Sequence, residues 1–207
     1  MHLLHRHGQS HGQSHGQTRT RADMYGLARH PKRYDRQAGH LGRFLYRRVV
    51  ADVVAADLPT GATVLDVGTG PGRVPRMIAE ARPELSVQGV DLSAEMVQYA
   101  AQAATPATAE RLTFQVADVA ALPFEDGSID LVVSSLSLHH WADPAAGLRD
   151  VVRVLRPGRE AWIYDVRAVL RNPARMAAGL DADVRLESPM AGAFWFNPIG
   201  RLVLRRR

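Results

Sequence analysis

The stretch that most constrains the fold is Val64–Val74, VLDVGTGPGRV. Val64, Leu65 and Val67 are strand formers, and Asp66 falls near the strand's carboxyl end. Gly68, Gly70 and Gly72 then alternate through a turn, with Thr69 between the first two. Missing side chains let a backbone approach a ligand closely. A helix start follows, and its first N–H groups lack intrahelical partners and carry partial positive charge. Strand, glycine turn and helix together predict one unit of an α/β sheet with a ligand at its crest.

The rest of the chain repeats that alternation. Val74, Met77, Ile78 and Ala81 mark the buried face of the first helix, with Pro75 tolerated in its first turn and Pro83 stopping it. Leu85–Val90 is the second strand and runs into Asp91. Ser93 is an N-cap for the helix Ala94–Ala104, which buries Met96, Val97 and Ala100. Leu112–Val116 is the third strand, followed by Asp118 and the loop ALPFEDGS. Ile129–Ser134, apolar on both faces, is the fourth, as expected inside a parallel sheet. Asp143-Pro144 is an N-cap with proline at the first helical position, and Leu148, Val151, Val152 and Leu155 follow in helical register. Pro157-Gly158 ends that helix and Ala161–Val166 is the fifth strand. Asn172-Pro173 starts one more helix, ended by Gly179. Asp183–Leu186 and Arg201–Arg205 then read as strands with no helix between them, so they are predicted to pair antiparallel. Strands alternating with helices across short loops predict a doubly wound α/β sheet.

Ahead of the glycine turn, Leu41, Leu45, Val49 and Val53 recur at every fourth position, with Phe44 and Val50 beside them. This is an amphipathic helix whose start is interrupted by Pro31 and the Gly39/Gly42 pair. Tyr34-Asp35 precedes it, and two placements are open: over a cofactor site, or in a surface turn. Residues 1–21 repeat HGQS, HGQS and HGQT and cannot bury apolar surface, so a disordered tail is expected rather than a histidine metal site. The expected organisation is this tail, a helical cap segment over residues 22–58, and one domain over residues 59–207. The chain has no cysteine, which excludes disulfides, thiolate metal sites and a cysteine nucleophile. No metal is expected. No apolar run approaches the roughly 18 residues of a membrane span, and the first residues lack a signal peptide's apolar core, so a cytoplasmic protein is expected. The net charge of +5 is carried almost wholly by scattered arginines, without a basic stripe, so nucleic acid is not an expected partner.

Ligands of open α/β sheets bind at the carboxyl ends of the strands, where the winding reverses. Asp66, Asp91 and Asp118 all fall at such ends. Asp91 lies 19 residues after Gly72, close to the spacing of about 20 at which an acid takes ribose hydroxyls. Leu92 then lies beside the adenine face. The glycines are spaced G-x-G-x-G rather than G-x-G-x-x-G, and Arg73 stands where the dinucleotide fingerprint has its third glycine. An acid beside the turn repels a pyrophosphate and suits a cation such as a sulfonium or ammonium. S-adenosylmethionine therefore fits Asp66 better than NAD does.

At this point the chain resembles a family. VLDVGTGPG, VDLS, ADVAALPFEDGSIDLVVSSLSLHHW and VVRVLRPG, in this order, are similar to the class I S-adenosylmethionine-dependent methyltransferases, specifically the small-molecule type grouped with the ubiquinone/menaquinone-biosynthesis methyltransferases. The resemblance implies a Rossmann-like seven-stranded sheet, mostly parallel with an antiparallel last strand, and helices on both faces. It implies that Asp66, Gly68, Thr69, Gly70 and Gly72 surround the methionine part of the cofactor. Asp91 and Leu92 would meet the ribose and its surroundings, with Met96 nearby. Asp118 and Val119 would meet the adenine, Ser134 would line the site near the sulfonium, and Tyr34 would close the pocket. Arg159 stands where the family has a second glycine after Pro157. His139 and His140, after the fourth strand, are candidate bases, needed only if the acceptor must lose a proton. Ser134-Ser135-Leu136-Ser137 is not an Asn/Asp-Pro-Pro-Tyr motif, which disfavours methylation of adenine or glutamine amino groups. The expected partner is a small-molecule acceptor. The cluster Phe194-Trp195-Phe196 is expected to plug the core, with contact to a lipophilic acceptor or a second subunit of a homodimer as the alternatives. The rival functions are a nucleic-acid methyltransferase, a non-catalytic cofactor-binding module and a nicotinamide oxidoreductase.

Overall fold

A computed structural model describes residues 31–177, 179–189 and 198–207. The tail over residues 1–21 and the aromatic cluster over residues 194–196 lie outside the described residues. Two helices come first, α1 (Pro31–Leu41) and α2 (Arg43–Ala55). Then β1 (Thr63–Val67), α3 (Arg73–Ala81), β2 (Ser86–Asp91), α4 (Ala94–Gln102) and β3 (Leu112–Val116) alternate. β4 (Ile129–Ser135), α5 (Pro144–Val154), β5 (Leu155–Val166) and α6 (Arg167–Ala177) continue the pattern, and β6 (Ala182–Glu187) and β7 (Ile199–Arg206) close it. Short 3₁₀ turns lie at Val119–Ala121 and Leu138–His140.

The strands form one seven-stranded sheet in the order β3-β2-β1-β4-β5-β7-β6. β1 to β5 are parallel, while β7 runs antiparallel to both β5 and β6. The winding reverses between β1 and β4, which places the ligand crevice at their carboxyl ends. Successive residues of a strand point to opposite faces, and both faces are covered. Val64 joins a core with Leu45, Val49 and Val53 of α2 and Val74 and Ile78 of α3. Leu65 and Val67 join a core with Leu148, Val151 and Val152 of α5 and Leu170 of α6. Asp143 caps α5 as the sequence predicts: its carboxylate accepts from the Ala146 N–H at 2.9 Å, with Pro144 at the first helical position.

Four local readings change. First, Pro31 and Gly39 do not prevent a helix: α1 is continuous over Pro31–Leu41, with Pro31 at its first position, where no N–H is needed. Second, Phe44 is 74% exposed, because α2 buries the Leu45, Val49, Val53 stripe and Phe44 falls outside it. Third, α6 begins at Arg167, immediately after β5, and carries Pro173 inside. The missing N–H leaves the Val169 carbonyl without its helical donor. Burial of Leu170, Pro173 and Ala177 on one face outweighs that loss. Fourth, pairing with β4 resumes at Leu155, before Pro157-Gly158. Leu155 faces Ile129 and Glu160 faces Leu131, so Arg156–Arg159 bulge out of register. Arg159 uses this bulge to approach Asp130 at 3.7 Å and the Asp57 carbonyl at 3.3 Å.

Candidate functional site

The site begins where β1 gives way to the glycine turn. The N–H groups of Gly68 and Thr69 both donate to the Val90 carbonyl at 2.9 Å, which ties the turn to β2. Gly68 has φ +69, and a Cβ there would stand 2.4 Å from both Cβ and Oγ of Ser137. Gly72 has φ +72, and a Cβ there would stand 2.7 Å from Ala100 and 2.8 Å from the Phe114 ring. The cradle is therefore closed to side chains at both ends.

Asp66 lies beneath it, 1% exposed. Its Oδ2 accepts from the Thr69 hydroxyl at 2.7 Å. Its Oδ1 is buried without a hydrogen-bond partner among the described residues. Burial, helped by the nearby charge of Asp91, pushes the Asp66 carboxyl up to about 7, against the single opposing bond from Thr69. A buried carboxylate oxygen with nothing to accept from is costly and is relieved by a donor or a cation.

Asp91 ends β2. Its Oδ2 accepts from the Gly70 N–H at 2.8 Å and its Oδ1 from the Ser93 N–H at 2.9 Å. It therefore holds the glycine turn from the side, while each oxygen keeps a further lone pair for a hydroxyl donor. Burial raises this carboxyl too, with the backbone N–H groups of Ser93, Gly70 and Leu92 pulling the other way. Leu92 beside it is half exposed, at 50%, whereas Met96 is buried at the start of α4. Ser93 caps that helix through the Met96 N–H.

Asp118 is exposed and caps the short turn that follows, accepting from the Ala120 N–H at 2.9 Å, and Val119 is buried behind it. The loop around them is fastened from α5. Arg153 donates to the carbonyls of Leu122 at 2.9 Å and Phe124 at 2.8 Å, and Asp150 accepts from the Leu122 N–H at 2.5 Å.

Tyr34 sits on α1, and its ring would be 3.8 Å from a Cβ on Gly70, so it stands over the turn. Burial, then the charge of Asp91, holds its phenol above the usual range. Tyr46 of α2 is nearby; burial, then Tyr34, pushes it up to about 12. α1 is latched in place by Asp35, which pairs with Arg73 of α3 and accepts from the Tyr99 hydroxyl of α4 at 3.1 Å.

The far wall follows β4. Ser134 is fully buried, and its hydroxyl lies 2.7 Å from Ser137 Oγ. Ser137 is the hub: its Oγ donates to the Val67 carbonyl at 3.1 Å and accepts from Trp141 Nε1 at 3.2 Å. Leu136 between them has φ +54, a conformation that non-glycine residues adopt at a cost. His139 follows. Its Nδ1 lies 2.9 Å from Oδ2 and 3.1 Å from Oδ1 of Asp165, at the end of β5. Asp165 is fully buried, and the His139 side chain is 37% exposed. The His140 ring packs against His139, with centroids 4.0 Å apart.

The sequence-predicted residues Tyr34, Asp66, Thr69, the three glycines and Asp91 thus converge on one crest, with Asp118 and Val119 on the loop beside it. Ser137, Tyr46 and Asp165 escaped prediction. Asp165 had a signal: like Asp66 and Asp91, it is an acid at a strand's carboxyl end.

Residues 65–163 match the model of a family described as methyltransferase domain. The matched segment is a methyltransferase domain. The chain is similar to a ubiquinone/menaquinone biosynthesis C-methyltransferase of Geotalea uraniireducens, at 37% identity over 107 residues, 51% of this chain and 46% of that one. It is also similar to a 27-O-demethylrifamycin SV methyltransferase of Amycolatopsis mediterranei, at 36% identity over 137 residues, 65% of this chain and 48% of that one. The matched part of the chain spans about half the length of these two relatives. Among solved structures, a SAM-dependent methyltransferase from Aquifex aeolicus shares the fold, with TM-score 0.70 and 19% identity over 87% of this chain and 98% of that one.

A phosphoethanolamine N-methyltransferase of Haemonchus contortus that shares the fold, with TM-score 0.63 and 19% identity over 77% of this chain and 52% of that one, holds S-adenosylmethionine. The residues present fit it. Asp66 Oδ1 is a buried acceptor without a partner among the described residues, Gly68 and Gly72 leave no room for side chains, and Asp91 retains acceptor capacity for hydroxyls. Among the described residues no helix is long and apolar enough to cross a membrane.

Proposed function

We propose that this chain transfers a methyl group from S-adenosylmethionine to a small, lipophilic acceptor. The observation that carries it is the buried Oδ1 of Asp66, without a hydrogen-bond partner among the described residues, beneath a turn closed to side chains at Gly68 and Gly72. Such an oxygen discriminates in favour of a cationic ligand over a pyrophosphate. In this reading Asp66, Thr69 and the glycine turn hold the methionine part, Asp91 the ribose hydroxyls, and Asp118 with Val119 the adenine. Tyr34 covers the cradle from α1, and Leu92 offers apolar surface beside Asp91. Met96 and Ser134 support these groups from below.

The bound cofactor supplies an electrophilic methyl group. The protein's part is then chiefly to position the acceptor in line and to exclude water. The relatives named for quinone and rifamycin methylation support a small acceptor. Calorimetry tests the proposal: S-adenosylhomocysteine is expected to bind and NADH is not. Binding of NADH alone would return the oxidoreductase reading. Binding without methyl release to any acceptor would leave a non-catalytic module.

A further inference from the structure

We infer that the outward faces of α1 and α2 dock on an anionic lipid surface. The docking stands on this surface alone. Its use, delivery of a lipophilic acceptor to the cradle beneath, rests on the function proposed above.

Each of the two helices has an inner and an outer face. On α1, Tyr34 stands over the glycine turn and Asp35 reaches Arg73 and Tyr99. Lys32, Arg33 and Arg36 point away from them and are exposed. On α2, Leu45, Val49 and Val53 are buried. Arg43, Arg47, Ala51 and Val54 follow one another at spacings of four, four and three, so they share the opposite face, with Phe44 beside them. All five are exposed, Phe44 at 74% and Val54 at 46%. The acids of both helices turn inward. Asp35 pairs with Arg73, and Asp52 pairs with Arg48 and Arg201, their side chains only 13% and 12% exposed. These pairs leave Lys32, Arg33, Arg36, Arg43 and Arg47 without neutralisation among the described residues. Residues 31–55 hold six cations and two acids, so most of the chain's net charge of +5 gathers here. Cations that lie scattered along the sequence are brought to one side by the two helices.

Solvated cations interleaved with exposed apolar side chains fit a surface that is anionic outside and apolar behind. An anionic bilayer is both. Its headgroups attract the arginines and Lys32, while Phe44 and Val54 reach the acyl boundary. A nucleic acid offers the charge without the apolar layer. A base can stack on the Phe44 ring, but Ala51 and Val54 have no ring to offer on the same stripe. The placement also has a consequence for the site. α1 lies between the cradle and its own exposed cations, so docking brings the glycine turn to about one helix diameter, about 10 Å, from the headgroups. A lipophilic acceptor leaves water for the bilayer and is concentrated there, beside the cofactor.

The test is sedimentation of the full chain with vesicles of phosphatidylcholine alone, or of phosphatidylcholine and phosphatidylglycerol in equal parts. Binding is expected to the mixed vesicles and not to the neutral ones, and it should be released as NaCl rises to about 0.5 M. Each cation near an anionic surface contributes about fivefold, so the double variant Arg43→Gln/Arg47→Gln should bind the mixed vesicles about 25-fold more weakly. Phe44→Ala should bind them roughly tenfold more weakly, and Phe44→Trp should bind them as tightly as wild type. These side chains are exposed, so all three variants should keep the wild-type affinity for S-adenosylhomocysteine. Failure of wild type to bind the mixed vesicles would overturn the inference, as would equal binding to the neutral ones. So would mixed-vesicle binding that neither the double variant nor Phe44→Ala weakens, which would place the contact elsewhere on the chain. Retention on duplex DNA or RNA that mixed vesicles do not compete away would make the partner a nucleic acid and overturn it too. A wild type that binds mixed vesicles but no S-adenosylhomocysteine leaves the docking standing and fails the function proposed above instead.

Discussion

Gly68→Ala tests how tightly the cradle is built. Two costs add. The left-handed backbone at φ +69 costs an L-residue about 1–2 kcal/mol. The new Cβ would lie 2.4 Å from Cβ and Oγ of Ser137, far inside van der Waals contact, and overpacking of this kind costs about 1–3 kcal/mol. Together they come to about 2–5 kcal/mol, a large share of the 5–15 kcal/mol that holds a typical domain. Gly61→Ala separates the terms. Gly61 has φ +80 but nothing within 4 Å of its Cβ position, so only the backbone cost of about 1–2 kcal/mol applies. Ser137→Gly removes the two clashing atoms. Alone it costs about 1–3 kcal/mol, because Trp141 Nε1 and Ser134 Oγ lose their partner. In the double variant the clash is gone, so its destabilisation should fall short of the sum by about 1–3 kcal/mol. Urea unfolding followed by circular dichroism, on wild type and the four variants, gives every number. Additivity within about 0.5 kcal/mol would refute the reasoning, as would Gly61→Ala being as damaging as Gly68→Ala.

Asp66 makes two further predictions. Its folded carboxyl is raised to about 7, so the ligand-free fold keeps a proton that the unfolded chain gives up near pH 4. Its contribution is fully present below about pH 4 and is lost as pH rises to about 7, at up to about 1.4 kcal/mol per pH unit. Wild type minus Asp66→Asn, by denaturant melts from pH 4 to 8, isolates that slope; a flat difference contradicts it. Affinity for S-adenosylmethionine should rise with pH up to about 7 and then level off, since the ionised carboxylate is the form that holds a cation, and calorimetry across that range checks it. Asp35→Ala removes the latch to Arg73 and Tyr99. It should speed hydrogen exchange over residues 31–41 and weaken cofactor binding roughly tenfold, the effect of about 1.4 kcal/mol from one half-buried ion pair and one hydrogen bond. Unchanged exchange would show that α1 is held by something else.

The sequence made the sheet legible because each strand end carried its own signal. Asp66 and Asp91 follow apolar runs, Ser93 and Asp143 cap the next helices, and Leu112–Val116 appears in the structure with those same bounds. The antiparallel β6–β7 pair was legible from the missing crossover helix. α6 was not, since Pro173 reads as a helix start, and only burial of Leu170 and Ala177 against the sheet tells that the helix begins earlier. At the Arg156–Arg159 bulge both arginines lie 3.7 Å from Asp130 of a different strand, a contact that local sequence does not show. The site divides in the same way. Local spacing gave the glycines and the two acids. Ser137 became visible only when β4 was laid beside β1, because its role is to fill the space a Gly68 side chain would need. Asp165 lies 26 residues from His139, and only the pairing of β4 with β5 makes them neighbours.

The central claim is that Asp66, Asp91 and the glycine turn form a pocket for a cationic, adenosine-bearing ligand. Isothermal titration of S-adenosylhomocysteine into wild type and Asp91→Ala tests it most directly. Wild type should bind one molecule per chain. Asp91→Ala loses the ribose acceptor and the Gly70 N–H anchor, so its affinity should fall at least tenfold, about 1.4 kcal/mol or more. Equal affinity in the two proteins, or no heat of binding in wild type, would contradict the account.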